Sequence, residues 1–168
     1  MSIEPKNDII IINNENIEDV IFNSNPENRL SIGLLRYWDI IRKDRLFPSE
    51  SKIVSQDIPD IWESCYLIQV NDIENRKKVD FTYMGAKIIE AYHNNLSEKY
   101  ISDIISPKTG NIAPHFRVVI EEKKPVLQHG EFSNNSGGKI KFRQCTLPFG
   151  ETDEKVDTIL GCVGFKVY

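Results

Sequence analysis

The chain has 168 residues, a length that suits one ordinary domain with a sizeable core. Its apolar share of 40% and aromatic share of 10% exclude wholesale disorder. The formal net charge of -4 gives no basic face for nucleic acid or for an anionic membrane. We therefore predict a soluble globular protein that has neither nucleic acid nor a membrane as a partner.

The first segment, residues 1–27, is rich in Asn, Glu and Asp around a run of four isoleucines at residues 9–12. No basic region precedes this run, and it is far shorter than the roughly 20 apolar residues that span a bilayer. We predict an N-terminal extension to a domain over residues 28–168. Because an exposed isoleucine run would promote association, we expect the run to dock on the domain.

The three cysteines, Cys65, Cys145 and Cys162, form no Cys-x-x-Cys pair and lie in apolar, strand-like contexts. This pattern predicts buried free thiols rather than disulfides, and hence a cytoplasmic protein.

The strongest predicted helix covers residues 28–43, NRLSIGLLRYWDIIRK, and carries a broad apolar face at helical spacing. Part of such a face can cover the chain's own sheet and part can meet a second copy. We therefore predict a homodimer whose interface includes five residues of this helix: Leu30, Leu34, Tyr37, Trp38 and Ile41.

Two predicted strands with a polar link follow, over residues 65–71 and 79–84, and form a hairpin. Gly85 ends the second strand and begins a short helix. A further helix is predicted over residues 112–124, with proline in its first turn and Pro125 after its end. Three more strands are predicted over residues 126–132, 140–149 and 156–168.

Adjacent strands with hairpin-length links indicate an antiparallel sheet with helices gathered on one face, an α+β fold. The strand-glycine-helix junction, MGAKIIE, has one glycine where a dinucleotide-binding turn needs three, so it is not a Rossmann turn.

Catalytic and metal-binding patterns are not found. His93, His115 and His129 lack zinc-ligand spacing, no serine lies in a nucleophile elbow, and no cysteine has a histidine nearby in the sequence. The acids Asp80 and Glu90 alternate with apolar positions and are expected to face solvent. We therefore predict no metal site and no enzyme activity.

Large apolar side chains fall on elements that would face one another, which indicates either a packed core or an apolar cavity between helices and sheet. A bulge between Phe142 and Cys145 would alter which side chains point inward. The predicted lining of the cavity consists of Phe81, Tyr83, Ile88, Ile89, Tyr92, Phe116, Ile120, Phe142 and Cys145.

Four segments, LLRYWDIIRKDRLFPSES, DIPDIWESCYLIQV, DFTYMGAKIIEAY and LPFGETDEKVDTILG, together resemble the stand-alone bacterial PAS-domain family. The resemblance covers about residues 28–168. It implies a PAS-like sheet of five antiparallel strands, with helices between the second and third strands covering one face. It also implies that Gly85 is the step from the second strand into the helices that wall a ligand cavity.

Two departures from this family concern the helical region. Similar sequences usually carry glycines where this chain has His93, Asn94, Asn95 and Glu98, so the loop there is expected to differ in shape. Residues 86–100 also lack the Asn-Cys-Arg motif of flavin-binding members, so we expect no covalent flavin. We expect no haem either, and His115 is the ligand only if one binds.

The resemblance implies a sensory or regulatory module that dimerises and binds a small apolar or amphipathic ligand, or an unknown signalling protein. Because the domain fills residues 28–168, we expect no output domain of its own. Two alternatives stay open: a ligand-free scaffold for protein interaction, and a small isomerase or hydrolase that uses a buried carboxylate and a tyrosine in an α+β pocket.

Overall fold

The computed structural model describes residues 7–73, 76–93, 114–133 and 137–167. Its helices are α1 (Ile17–Phe22), α2 (Arg29–Arg42), α3 (Pro59–Trp62), α4 (Ala86–His93) and α5 (Pro114–Glu122). Its strands are β1 (Asn7–Ile11), β2 (Cys65–Ile73), β3 (Arg76–Met84), β4 (Val126–Ser133), β5 (Lys139–Phe149) and β6 (Thr158–Val167). The sequence also predicts a short helical piece over residues 100–105, and those residues lie outside the described part of the structure.

The strands form one antiparallel sheet in the order β1-β4-β5-β6-β2-β3. The predicted α+β class and the five predicted strands are confirmed, but within the described residues the sheet has six strands rather than five. The additional strand, β1, comes from the isoleucine run and pairs with β4 from Asn7 opposite Gly130 to Ile11 opposite Val126. The expectation that this run docks is therefore confirmed.

Helices cover both faces of the sheet, not one face as predicted. On one face, here called the α2 face, helix α2 packs across β5 and β6, and Trp38 Nε1 donates a hydrogen bond of 2.9 Å to the Pro148 carbonyl. On the other, the α5 face, the Phe116 ring of α5 meets the ring of Tyr66 edge to face at 6.0 Å. Both surfaces of the central strands are consequently buried.

The apolar face of α2 packs mainly against the sheet of its own chain. Leu34 and Trp38 are 0% exposed, so they belong to this chain's core and not to a surface that a partner could contact. This corrects the prediction for these two residues. Ile40, at 67% exposed, is the large apolar residue that α2 turns to solvent. The other members of the predicted interface are half-buried: Leu30, Tyr37 and Ile41.

Position 85 requires a glycine because two backbone segments approach each other closely there. A Cβ atom at Gly85 would lie 2.1 Å from the carbonyl oxygen of Glu63, which is far inside van der Waals contact. Gly85 N donates to the Cys65 carbonyl at 2.8 Å, and Lys87 N donates to the Glu63 carbonyl at 3.0 Å. The junction thus ties the start of α4 to the turn before β2, and the predicted step from strand into helix is confirmed.

A bulge in the β2-β3 hairpin reverses the direction of the side chains. Leu67 lies opposite Tyr83 and Ile68 opposite Phe81, so Thr82 is the extra residue. Phe81 consequently points to the α5 face, whereas Tyr83 points to the α2 face. There the Tyr83 ring stacks on Trp62 with centroids 4.6 Å apart.

The three cysteines lie in one row across three neighbouring strands. Cys162 on β6 is directly opposite both Cys65 on β2 and Cys145 on β5, so all three share one face. Gly164 lies two residues after Cys162 on the same face of β6, and a Cβ atom there would lie 3.2 Å from Leu30 Cδ1 of α2, which identifies this face as the α2 face. The prediction of buried free thiols is confirmed. The register of β5 with both neighbours is continuous, so the bulge considered between Phe142 and Cys145 does not occur.

Candidate functional site

The candidate site is the layer between α5 and the sheet, where aromatic rings pack edge to face. Tyr66 lies at its centre, and its ring meets Phe81 at 6.0 Å and Phe116 at 6.0 Å. Phe142 of β5 is also buried, and its alternation with Gln144 places it on this same face. The layer therefore has apolar walls made of rigid rings.

Gly161 allows the Tyr66 side chain to cross the neighbouring strand. Tyr66 on β2 lies directly opposite Gly161 on β6, and a Cβ atom there would lie 2.2 Å from Tyr66 Cζ. Without a side chain at Gly161, the tyrosine ring reaches over β6 as far as β5. The position of the Tyr66 hydroxyl thus depends on one glycine in the next strand.

A chain of buried polar side chains begins at that hydroxyl. Tyr66 Oη donates a hydrogen bond of 2.9 Å to Gln144 Oε1, and Gln144 Nε2 donates to Gln128 Oε1. Gln128 and Gln144 are directly opposite each other on β4 and β5, and all three side chains are buried. In a typical small-molecule pocket, a small number of polar groups among apolar walls orients the ligand.

His115 adds a polar group from the helix above. It is 1% exposed, and its Nε2 atom has no hydrogen-bond partner among the described residues. Burial lowers the pKa of His115 to about 3, so the imidazole is neutral at physiological pH. A buried polar atom without a partner is costly unless something else satisfies it, so His115, which lies on the buried side of α5 with Phe116, is a candidate to bind a polar group of a ligand.

The residues predicted to line a cavity divide into three groups. Phe81, Phe116 and Phe142 meet on the α5 face, and Ile88 and Ile120 are buried in the core. Tyr83 and Cys145 point to the α2 face, because of the bulge at Thr82 and the cysteine row, and Ile89 is 41% exposed. These three assignments to the cavity are corrected. The Tyr92 side chain lies outside the described part of the structure.

The sequence analysis missed the polar residues Tyr66, Gln128 and Gln144 as site residues. A signal was present, since each glutamine follows a large apolar residue by two positions on the same face of its strand, Val126 before Gln128 and Phe142 before Gln144. Their partnership depends on strand register, which the sequence does not give.

The acids considered for an enzyme, Asp80 and Glu90, are exposed as predicted. Among the residues that the structure describes, no group of three or more His, Cys, Asp or Glu side chains could hold a metal ion. Within the same residues, no helix combines the length and the apolar character needed to cross a membrane. Comparisons of the chain with protein-family models, curated proteins and solved structures found no match.

Proposed function

We propose that this chain is a PAS-type sensory or regulatory module of the cytoplasm, which dimerises and binds a small amphipathic ligand between α5 and the sheet. The observation that carries the proposal is the polar chain of Tyr66, Gln144 and Gln128 in an apolar layer that also contains the neutral His115. Apolar walls would bind the body of the ligand, and the amides and imidazole would bind its polar end.

The fold supports this proposal. The α+β sheet is compatible with a PAS-like architecture, with α4 and α5 both between the second and third of the five predicted strands. In this proposal, a change at the α2 face would carry the signal to a partner.

A route for the signal follows from the layers of the fold. The polar chain joins β2, β5 and β4, and two of the strands it spans, β5 and β6, carry α2 on their other face. A ligand that takes a hydrogen bond from Gln128 or Gln144 would change how these strands are held together. If the ligand binds one arrangement of these strands more tightly than another, it shifts the population toward that arrangement. The position of α2 that a partner protein contacts would then change with ligand binding.

The first experiment is native mass spectrometry of freshly purified protein, combined with two leucine variants. Gln144→Leu removes the centre of the polar chain, while Gln69→Leu removes a half-buried glutamine that hydrogen-bonds Glu50 instead. We expect added mass on the wild type and on Gln69→Leu, and its loss from Gln144→Leu. Equal retention by both variants would place the ligand elsewhere.

The second candidate function is a ligand-free interaction scaffold. It is favoured by the complete burial of Tyr66, Phe116 and Phe142, whose rings fill much of the layer. The two functions differ in whether the layer admits a ligand. Polypeptide mass alone for the wild type, together with no thermal shift from a panel of small amphipathic compounds, would favour the scaffold.

A further inference from the structure

Strand β1 forms an apolar edge of the sheet. Within the described residues it pairs with β4 on one side and with no strand on the other. Ile9, Ile10 and Ile11 are 38%, 48% and 43% exposed, so apolar side chains flank this edge on both faces of the sheet. We infer that the edge pairs antiparallel with β1 of a second copy of this chain, which joins the two sheets into one. The inference names the surface of the dimer in the proposed function and rests on that dimer, but it needs no ligand.

The two edge strands of the sheet differ in how they are protected. Natural sheets use lysines, prolines and bulges to keep an edge strand from pairing with another chain. At one edge, β3 begins with the cationic sequence Arg-Lys-Lys and contains the bulge at Thr82. At the other edge, β1 has the sequence Asn-Asp-Ile-Ile-Ile and pairs with β4 in unbroken register. Because β1 has no lysine, proline or bulge, it is the edge that can accept another strand.

The backbone groups that face the open edge belong to Ile9 and Ile11. Ile12 continues the register of β1, and its N–H donates a hydrogen bond of 2.8 Å to the carbonyl of Pro125 directly opposite. In an antiparallel pair, such hydrogen-bonded positions alternate with positions whose N–H and C=O groups point away from the partner strand. Ile10 therefore directs its backbone groups toward β4, as Ile12 does, and Ile9 and Ile11 direct theirs outward. An extended backbone is the partner that matches this row of donors and acceptors.

The sequence of β1 is complementary to itself. A two-fold axis perpendicular to the sheet and beside Ile10 would place Ile9 opposite Ile11 of the second copy. Both of these residues direct their backbone groups outward, so each pair would exchange two N–H···O bonds. Isoleucine would then lie opposite isoleucine throughout the paired stretch, which is a favourable cross-strand contact. A register shifted by two residues would instead place Asp8 opposite Ile10.

The charge on β1 is compatible with this pairing. Asp8 is the charged residue of the strand, and its Oδ2 atom lies 3.5 Å from His129 Nε2 on β4. With the axis beside Ile10, Asp8 lies opposite Ile12 of the second copy, so the two Asp8 carboxylates are on opposite sides of the axis. The pairing therefore brings no like charges of β1 directly opposite each other.

The test is amide hydrogen exchange of the full chain, followed by NMR at a low and a high protein concentration. We expect the amides of Ile9 and Ile11 to exchange at least about fivefold more slowly at the high concentration, because the second copy would bond them. The amide of Ile10, which faces β4, should exchange at the same rate at both concentrations. Sedimentation velocity over the same range should show a monomer that converts to a dimer.

Two variants of β1 test the pairing without disturbing the core. Ile10→Lys places two lysines opposite each other at the axis and should weaken the dimer about tenfold. Ile9→Pro removes an outward N–H from each copy but keeps the bonds to β4, since an edge strand tolerates proline where the N–H faces solvent. It should also weaken the dimer. Ile89→Lys makes the same exchange as Ile10→Lys at a 41% exposed isoleucine of α4 and should leave the dimer unchanged.

The inference is overturned if the wild type forms a dimer while exchange at Ile9 and Ile11 does not depend on concentration. It is also overturned if the dimer survives both Ile10→Lys and Ile9→Pro, or if Ile89→Lys weakens it equally. In these three cases the dimer of the proposed function stands but uses another surface. A wild type that stays monomeric at the high concentration would overturn that dimer together with the inference.

Discussion

The hydroxyl of Tyr66 donates a hydrogen bond of 2.9 Å to the side-chain oxygen of Gln144, although the two residues are 78 positions apart in the chain. The bond spans strand β6, because Gly161 leaves room for the tyrosine ring. It therefore connects two strands that are not neighbours in the sheet, and it does so through side chains alone.

Removing this hydroxyl should destabilise the fold. In Tyr66→Phe the buried Gln144 oxygen loses its donor, and we expect a loss of about 1–3 kcal/mol in the free energy of unfolding by urea. Tyr83→Phe removes a hydroxyl that donates to the Trp62 carbonyl at a half-buried site, and it should cost less. Equal costs for the two variants would mean that the polar chain has no special role in stability.

The step at Gly85 should tolerate no side chain. In Gly85→Ala the new methyl group would meet the Glu63 carbonyl, which is backbone and cannot turn away. We expect a loss of about 3 kcal/mol or more, at the upper end for overpacking. Gly33→Ala is the matched control, because its methyl meets only Ile61 Cδ1, the end of a flexible side chain, and gains helix propensity. Similar melting temperatures for both variants would contradict this account.

The buried His115 should make stability depend on pH. Its pKa is about 3 in the folded protein and near 6.5 when unfolded, so the unfolded chain binds the extra proton between these values. Its contribution is therefore present above pH 6.5 and is lost as the pH falls towards 3. When the pH falls from 7 to 5.5, this residue should lower the free energy of unfolding by about 1 kcal/mol. The size of this loss is set mainly by the pKa of the histidine in the unfolded chain.

Urea unfolding at the two pH values measures this difference. His115→Leu should show a smaller loss of stability between pH 7 and 5.5 than the wild type. Phe116→Leu, which keeps the histidine, should be less stable at both values but show the same loss as the wild type. An unchanged loss in His115→Leu would mean that the histidine is protonated in the fold.

Dimerisation, if it uses α2, should depend on the exposed side of that helix. We expect Ile40→Asp to produce monomers in sedimentation velocity that keep the far-UV circular dichroism of the wild type, because Ile40 is largely exposed. Leu34→Asp should instead unfold the chain, since it buries a charge in the core. Ile89→Asp, an equivalent exchange on α4, is the control and should keep the dimer. A dimer that survives Ile40→Asp would exclude this face.

The cysteine row should be inert in the folded protein. Burial raises the pKa of Cys162 to about 12 and raises the pKa of Cys65 and Cys145 as well, so almost no thiolate is present. We expect no reaction with a disulfide reagent at pH 8 over minutes, and three equivalents of reaction in urea. Rapid reaction of one equivalent in the native protein would mean that α2 opens readily.

The sequence predicted the elements better than the directions of their side chains. Within the described part of residues 28–168, periodicity and the signals at Gly85, Pro114 and Pro125 located the main strands and helices to within a few residues, because these are local properties. Strand β1 and helix α1 of the first segment were not predicted. The direction of Tyr83 was wrong because a bulge at Thr82 leaves no local signal that distinguishes it from regular alternation. Cys145 was misplaced because the central strands are buried on both faces, so apolar character does not say which face is which.

The chain of polar side chains was missed for another reason than the directions of Tyr83 and Cys145. Two glutamines at inward positions were visible, but their link to Tyr66 requires the strand order and the absence of a side chain at Gly161. Both are long-range properties of the fold.

The pairing of β1 with β4 has a consequence for synthesis of the chain. Ile11 lies opposite Val126, so β1 leaves the ribosome about 115 residues before its partner strand begins. At translation rates of about 5–20 residues per second, this interval is on the order of ten seconds. During that time the four consecutive isoleucines at residues 9–12 have no sheet edge to join. Strand β1 is thus made long before it can reach its native place beside β4.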